Sequence, residues 1–190
     1  MQMEQLPPEL IEKPFTLSQA KRLGLSRYVL AKLIADGVVE LIARGVYRAS
    51  KEDLTEEDQY RVATLRVGER SSICLVSALS HYGLTDIIPK KTWIMVPVSK
   101  QTQYGDLKLL RTRNPSWRIG IVKCDGYSIT TLERTIVDAI CARARIGTQI
   151  ATEALRKAVQ SKKTTLGKIM EMAKELHVAH RIQPYIEALA

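Results

Sequence analysis

The chain has 190 residues, of which 45% are hydrophobic and 26% are charged, a composition that indicates a globular protein. It contains no run of about 18 apolar residues, which excludes a membrane-spanning helix, and we expect no signal peptide because the first residues hold an acid and two prolines. The 29 Lys and Arg residues outnumber the 20 Asp and Glu, and the resulting charge of +9 favours partners such as nucleic acid, anionic membranes or acidic proteins.

The N-terminal part of the sequence has the pattern of two short helices joined by a tight turn. Thr16 is the predicted N-cap of the first helix, and Gly24 ends it because glycine readily adopts the left-handed conformation of such a turn. Ser26 is the predicted N-cap of a second helix, which runs to Asp36 and is ended by Gly37. The pattern predicts a helix-turn-helix.

The second predicted helix has an apolar face and a mixed face. At about 100° per residue, the apolar face consists of Val29, Leu30, Leu33 and Ile34. The opposite face combines small and polar residues: Tyr28, Ala31, Lys32 and Ala35, with Arg27 at its border. Such a face can lie in a major groove about 12 Å wide, with Tyr28 and Lys32 near base edges or phosphates and Ala31 against a thymine methyl.

A β-hairpin is predicted directly after the second helix. Its strands are residues 38–42 and 46–48, and Ala43-Arg44-Gly45 forms the turn. A hairpin at this place is a wing, and Arg44 at its tip is positioned to contact phosphates or enter a minor groove. The residues that we predict to contact DNA are Arg27, Tyr28, Ala31, Lys32, Arg44 and Arg48.

The balance of charge changes after this hairpin. Basic residues predominate from Lys13 to Arg48, whereas five acidic residues lie between Glu52 and Asp58. We place a domain boundary at this step. The prediction is a winged helix-turn-helix DNA-binding domain at residues 1–50 and an α+β domain at residues 60–190.

Helical and strand patterns alternate in the C-terminal part. Helices are predicted at 60–67 and 77–82, and strands at 92–97, 107–112, 117–123 and 127–129. Thr130 and Glu133 have the spacing of a capping box that opens an amphipathic helix, and further helices are predicted near 148–160, 165–176 and 184–189. The fold class is therefore α+β, with an N-terminal winged helix-turn-helix followed by a mixed α/β domain with a helical C-terminal tail.

Three groups of residues resemble the AbiEi antitoxins of bacterial type IV toxin–antitoxin systems. The residues that resemble the family's N-terminal domain are Phe15-Thr16, Gly24-Leu25-Ser26, Leu33, Gly37 and Arg44-Gly45-Val46-Tyr47. Its second domain is resembled by the stretches from Ser77 to Leu84 and from Glu133 to Asp138, so that the resemblance extends from about Phe15 to Val159.

This resemblance implies a protein with two activities. The winged helix would repress the promoter of a toxin–antitoxin operon, and the second domain would counter a toxin resembling nucleotidyltransferases, without necessarily forming a tight complex with it. A single winged helix buries too little surface for high specificity, so we expect two copies on an inverted repeat of double-stranded DNA. We expect no cofactor, no membrane and no catalytic activity.

Several residues of the second domain allow more than one interpretation. Arg134 and Asp138 have the spacing of a helical ion pair, but Arg134 could instead anchor the helix across the domain or meet a partner. His81 and Tyr82 fit a packing role. His177 and His180 are three apart, as two metal ligands on one helix can be, but no Cys or carboxylate completes the set, so we expect no metal site.

Two further groups of basic residues lie in the second domain. They could be the charged edge of a sheet and solvated helix surfaces, or they could form a second contact surface for nucleic acid or toxin. The residues considered for that surface are Arg111, Arg113, Arg118, Lys123, Arg156 and Lys157.

Two other functions compete with repression. Asp106-Leu107-Lys108 has the D-x-K ending of some nuclease sites, with Asp86 as a further carboxylate, and would indicate a metal-dependent nuclease targeted by the winged helix. Alternatively, the winged helix could serve as an adaptor that binds only protein.

The number and spacing of the cysteines indicate whether the protein resides in a reducing or an oxidising compartment. Cys74, Cys124 and Cys141 are odd in number, far apart and without a CxxC pair. They predict buried free thiols in a reducing cytoplasm rather than disulfides or a zinc site.

Overall fold

The computed structural model describes residues 6–49, 53–101 and 103–189. The chain divides into two compact units, Met1–Glu69 and Arg70–Ala190. After a 3₁₀ turn at Pro8–Leu10, the elements of the first unit are β1 (Phe15–Thr16), α1 (Leu17–Arg22), α2 (Arg27–Ala35), β2 (Val39–Ala43), β3 (Val46–Ala49) and α3 (Glu56–Val67).

The first unit is built on a three-stranded antiparallel sheet of order β1-β3-β2. The β2–β3 hairpin is the predicted wing. Strand β1 pairs with β3 on the side away from β2. Phe15 lies opposite Tyr47, and their rings are stacked with 6.0 Å between centroids. Two residues are too few to produce an alternating pattern, which is why β1 was not predicted from the sequence. Under the sheet, Phe15, Leu30 and Leu33 are buried in one apolar cluster.

Helix α3 belongs to the first unit, although the sequence analysis placed residues 60–67 in the C-terminal part. It packs against β1 and β3. Its N-cap is Thr55, whose hydroxyl accepts from the Asp58 amide at 3.1 Å in a capping box. Three of the five acidic residues at the predicted domain boundary, Glu56, Glu57 and Asp58, therefore form the first turn of α3, where negative charge is favourable for the helix dipole. Glu52 lies outside the described residues.

The second unit combines a five-stranded sheet with six helices among its described residues. Its strands are β4 (Ser72–Ile73), β5 (Thr92–Pro97), β6 (Leu107–Thr112), β7 (Ile121–Lys123) and β8 (Ser128–Thr130). Its helices are α4 (Leu75–His81), α5 (Leu132–Cys141), α6 (Arg143–Ile146), α7 (Thr148–Gln160), α8 (Leu166–Glu175) and α9 (Ala179–Glu187). The sheet order is β6-β5-β4-β8-β7.

The sheet of the second unit is mixed. Strand β5 runs parallel to β6 and antiparallel to β4, whereas β4 runs parallel to β8. The strands predicted at 92–97 and 107–112 are confirmed residue for residue. The strand predicted at 117–123 is wrong in its first half, because Pro115–Arg118 forms a 3₁₀ turn and Gly120 (φ +65°) precedes the short β7.

Helix α5 is the centre of the second unit. It packs against α4, α7, α8 and α9, and its Ile136 and Ile140 are fully buried. Helix α9 begins at Ala179, earlier than predicted, and contains Pro184 in its interior. Proline cannot donate a backbone hydrogen bond within the helix, whereas Ile182 on the inner face of α9 is fully buried. The α+β fold class with a helical tail is confirmed.

The start of α5 differs from the predicted capping box. Thr131, not Thr130, is the N-cap, and its hydroxyl accepts from the Arg134 amide at 3.3 Å. The Glu133 carboxylate instead accepts a hydrogen bond of 2.6 Å from the Thr164 hydroxyl. Thr130 is instead the last residue of β8, and its hydroxyl lies 2.7 Å from that of Thr135 on α5.

Arg134 is an internal anchor, one of the alternatives that the sequence left open. Its side chain is buried and donates to Asp138 Oδ2 at 2.8 Å and to the Ile119 carbonyl at 2.6 Å. It thereby ties α5 to the segment between the 3₁₀ turn and β7. Burial raises the pKa of the Asp138 carboxyl, and the Arg134 charge opposes that shift.

Candidate nucleic-acid interface

Helix α2 presents its mixed face to solvent. The Ser26 hydroxyl caps the helix by accepting from the Val29 amide at 3.2 Å, as predicted. Leu30 and Leu33 hold the opposite face in the core. The exposed side chains are Arg27, Tyr28, Ala31, Lys32 and Ala35. Tyr28 has 81% of its surface exposed.

One residue of α2 departs from the predicted pattern. Ile34 was assigned to the inner face, but 36% of its surface is exposed. It lies at the edge of the apolar arc, one residue before the helix ends. The exposed surface of α2 is therefore broader and more apolar than the sequence predicted.

Both helices of the helix-turn-helix end in the same hydrogen-bonded turn. At the end of α1 the Leu25 amide donates to the Ala20 carbonyl at 3.0 Å, and at the end of α2 the Val38 amide donates to the Leu33 carbonyl at 2.9 Å. These are Schellman motifs. The residues that need a left-handed conformation in them are Gly24 (φ +86°) and Gly37 (φ +70°). The turn fixes α2 relative to α1, with Leu25 buried between them.

The wing carries its two arginines in different environments. Arg44 is exposed at the tip, beside Gly45 with φ +76°. Arg48 pairs across the hairpin with Glu40, at 2.5 Å between Nε and Oε1. A phosphate contact by Arg48 would therefore compete with Glu40. The sequence could not reveal this pairing, because it depends on the register that sets Glu40 opposite Arg48.

Helix α1, for which no DNA contact is predicted from the sequence, carries a basic recess. Leu17, Ser18, Lys21 and Arg22 line an open depression of about 460 Å³. The first helix of a helix-turn-helix commonly crosses the DNA backbone. Lys21 and Arg22 are adjacent basic residues in the last turn of α1, and this pattern in the sequence would have indicated such a contact.

The residues considered for a second contact surface lie in four separate places. Arg111 is on β6 and Lys123 on β7, and these are the opposite edges of the five-stranded sheet, about 19 Å apart at the usual strand spacing. Arg113 and Arg118 lie on the connection between them, with the Arg118 guanidinium 5.4 Å from the Trp117 ring. Arg156 and Lys157 are exposed on α7, where Lys157 pairs with Asp86 at 3.2 Å. The sheet order thus separates the two ends of the first basic stretch.

The residues considered for a metal or nuclease site are also dispersed. His177 follows α8 whereas His180 is in α9, so they do not share a helix face. Asp86 is paired with Lys157, and the Lys108 amine lies 5.7 Å from the Trp93 ring. Across residues 6–49, 53–101 and 103–189, no three His, Cys, Asp or Glu side chains come together as metal ligands would.

The remaining side chains singled out in the second unit have packing roles. The His81 and Tyr82 rings meet edge to face at 5.1 Å, and the Tyr82 hydroxyl donates to the Thr130 carbonyl at 2.8 Å. Burial raises the pKa of Tyr82 to about 12. All three cysteines are free thiols, but only Cys74 is fully buried; Cys124 and Cys141 are partly accessible. Within the described residues, no helix has both the length and the apolar character needed to cross a bilayer.

A search of curated proteins found no match. Among solved structures, the RV2827C protein from Mycobacterium tuberculosis is similar, with a TM-score of 0.53 and 14% sequence identity over 92% of this chain and 76% of that one. At this identity the similarity shows the fold alone.

A family comparison identifies the N-terminal module. Residues 4–50 match the family model described as "Transcriptional regulator, AbiEi antitoxin". This range covers the described helix-turn-helix and the wing. The family's description is that of a regulator and antitoxin rather than an enzyme. The N-terminal winged helix-turn-helix is therefore similar to the AbiEi antitoxin transcriptional regulators, in agreement with the resemblance seen in the sequence.

Proposed function

We propose that this protein is a sequence-specific DNA-binding repressor that acts as the antitoxin of a type IV toxin–antitoxin operon and binds its own promoter. The observation that carries the proposal is the exposed mixed face of α2, fixed by a cap and two Schellman turns beside a wing with Arg44 at its tip. The match of the same residues to a regulator family supports it.

In the proposed complex, α2 lies in the major groove. Tyr28 and Lys32 are four residues apart on one face of α2, so both reach the same stretch of base edges, while Ala31 between them allows close approach. Arg44 contacts phosphates or the adjacent minor groove. Lys21 and Arg22 are in place for the backbone crossed by α1, and the Glu40–Arg48 pair maintains the hairpin.

This assignment separates residues that read sequence from residues that bind the backbone. We expect Tyr28→Ala or Lys32→Ala to weaken binding to the operator by about 1–3 kcal/mol where the side chain contacts a base, with smaller losses on random DNA. Arg44→Ala should weaken binding to all sequences alike and reduce the salt dependence by roughly one unit of slope. Fluorescence anisotropy across a salt series measures both quantities.

The control for these variants is Arg145→Ala, which removes an exposed charge from α6 in the other unit. It should leave operator affinity unchanged. If all three interface variants lose the same affinity on operator and on random DNA, α2 does not read sequence and the proposal fails in that part.

The antitoxin half of the proposal assigns the second unit to a nucleotidyltransferase-like toxin as functional partner. Co-expression with the toxin from the same operon tests it, using a foreign promoter so that repression plays no part. We expect the Lys32→Ala/Arg44→Ala variant, which is defective in DNA binding, to restore growth as well as the wild type. Loss of rescue in this variant would contradict an antitoxic activity located outside the winged helix.

A further inference from the structure

The second unit contains an open cleft of about 580 Å³ between α6, α7 and α9, on the face of α9 that carries His180 and Tyr185. The geometry points to a binding site for a nucleoside phosphate: the phosphate bound by Arg143 and Arg181, and the nucleoside against Tyr185 and Pro184. This inference is independent of the proposed repression, because no residue of the winged helix takes part in it.

Two arginines line this cleft, and each is hydrogen-bonded to a backbone carbonyl at the end of α5. Arg143 Nη1 donates to the Ile140 carbonyl at 3.1 Å, and Arg181 Nη2 donates to the Cys141 carbonyl at 2.8 Å. These carbonyls belong to consecutive residues, whose Cα atoms are about 3.8 Å apart. Each guanidinium has five N–H donors, so both retain donors for a ligand. Paired guanidinium groups are well suited to the oxygens of a phosphate.

The charge at the cleft exceeds what the fold requires. The C-terminal end of α5 carries the equivalent of roughly half a negative charge, which one arginine would offset. The cleft has two, and no carboxylate among the described residues lines it. Glu187, on the next face of α9, accepts a hydrogen bond from Gln183 at 2.8 Å. The excess of positive charge favours an anionic ligand.

The rest of the cleft fits the organic part of a nucleotide. The Tyr185 ring lies 5.6 Å from the Arg143 guanidinium and holds it in place by a cation–π contact. Pro184 and Ala188 lie one helical turn apart and form an apolar wall of the cleft. The Thr152 hydroxyl donates to the Thr148 carbonyl at 3.1 Å, so it offers lone pairs to a sugar hydroxyl rather than a proton to phosphate. The volume lies in the range of small-ligand sites and exceeds the needs of bare phosphate.

Isothermal titration calorimetry of the full chain tests the proposal, with the four ribonucleoside monophosphates, their nucleosides and inorganic phosphate as probes. We expect at least one monophosphate to bind with a Kd below about 1 mM. Its nucleoside and free phosphate should each bind at least about 10-fold more weakly, because each fills only part of the site. Arg181→Gln and Arg143→Gln should each weaken monophosphate binding by about 10-fold or more.

Three further variants separate this site from general charge and from folding. Arg145→Gln removes an exposed charge of α6 outside the cleft, and Lys32→Gln removes one from α2; neither should change the affinity. Arg181→Lys keeps the charge and loses the planar donor pair, so it should weaken binding while retaining the wild-type melting temperature. Absence of binding by all four monophosphates, equal losses in Arg145→Gln, or unchanged affinity in Arg181→Gln would each overturn the proposal.

Discussion

At the scale of single residues, the stability of the second unit depends on the contacts of Arg134. Short-range sequence patterns predict only one of these contacts. The spacing of Arg134 and Asp138 predicted their ion pair, and the structure has it at 2.8 Å. The hydrogen bond to the Ile119 carbonyl is a contact across 15 residues, which no local pattern encodes. It requires close approach at Gly120, where an added Cβ would lie 2.8 Å from the Cβ of Arg134.

Replacing Arg134 should therefore destabilise the second unit severely. We expect Arg134→Ala to lower the free energy of unfolding by about 3–5 kcal/mol, because it leaves Asp138 as a buried charge without its partner. Chemical denaturation measures the loss, with Arg145→Ala as an exposed control within about 0.5 kcal/mol of the wild type. A loss of under about 1 kcal/mol is what an ordinary substitution produces, and it would contradict the anchoring role.

Tyr82 makes a prediction for alkaline pH. Its pKa is raised to about 12 in the folded protein and lies near 10 in an unfolded chain. Between these values the unfolded state releases the proton first, so folding stability falls as the pH rises through this window. Tyr82→Phe should abolish that part of the loss, at the cost of the hydrogen bond to Thr130 at neutral pH.

Urea denaturation of the wild type and Tyr82→Phe at pH values from about 9 to 11 tests this difference. The wild type should be the more stable protein at the lower pH, and its advantage should shrink as the pH rises. A constant difference across the series would show that Tyr82 does not carry the alkaline loss.

At the scale of elements, features set by neighbouring residues were predicted well and features set by distant partners were not. Ser26, Gly24 and Gly37 bound the two helices of the helix-turn-helix because caps and left-handed turns depend on local backbone conformation. The two-residue strands β1 and β4 exist only through pairing with β3, β5 and β8. For the candidate interface, the exposed face of α2 followed from periodicity, whereas the partner of Arg48 depended on hairpin register.

Two helices of the second unit end without the glycine that their turns favour. The residues after α7 and α8 that adopt a left-handed conformation are Lys162 (φ +56°) and His177 (φ +58°). Each closes a Schellman turn; for example, the Val178 amide donates to the Ala173 carbonyl at 2.9 Å. A residue with a Cβ is unfavourable by roughly 1–2 kcal/mol in this conformation.

Glycine at either position should accordingly stabilise the protein. We expect Lys162→Gly and His177→Gly each to raise the free energy of unfolding by about 0.5–1 kcal/mol, once the larger chain entropy of glycine is subtracted. The matched control is Lys168→Gly inside α8, which should destabilise by about 1 kcal/mol. Thermal melts of the three variants test this prediction. Destabilisation by all three would contradict the strain that we assign to Lys162 and His177.

At the scale of the whole molecule, positive charge is distributed over both units with different surroundings. In the first unit it lies on α1, on α2 and at the tip of the wing, around a face with small residues. In the second unit the arginines at the cleft contact backbone carbonyls, and Lys157 has an acidic partner. The net charge of +9 therefore does not by itself indicate which surface would bind DNA, and the proposal depends on the arrangement of the winged helix.

Binding to the DNA upstream of the protein's own gene tests that claim most directly. We would measure a gel shift in excess random competitor for the wild type, for Lys32→Ala/Arg44→Ala, and for Lys168→Ala/Lys174→Ala, which removes the same charge from exposed positions of α8. A specific shift that is lost in the first variant and kept in the second is the predicted result. No shift at low salt would contradict it and indicate a winged helix that binds protein instead. Equal loss in both variants would also contradict it, because binding would then depend on general charge and not on the winged helix.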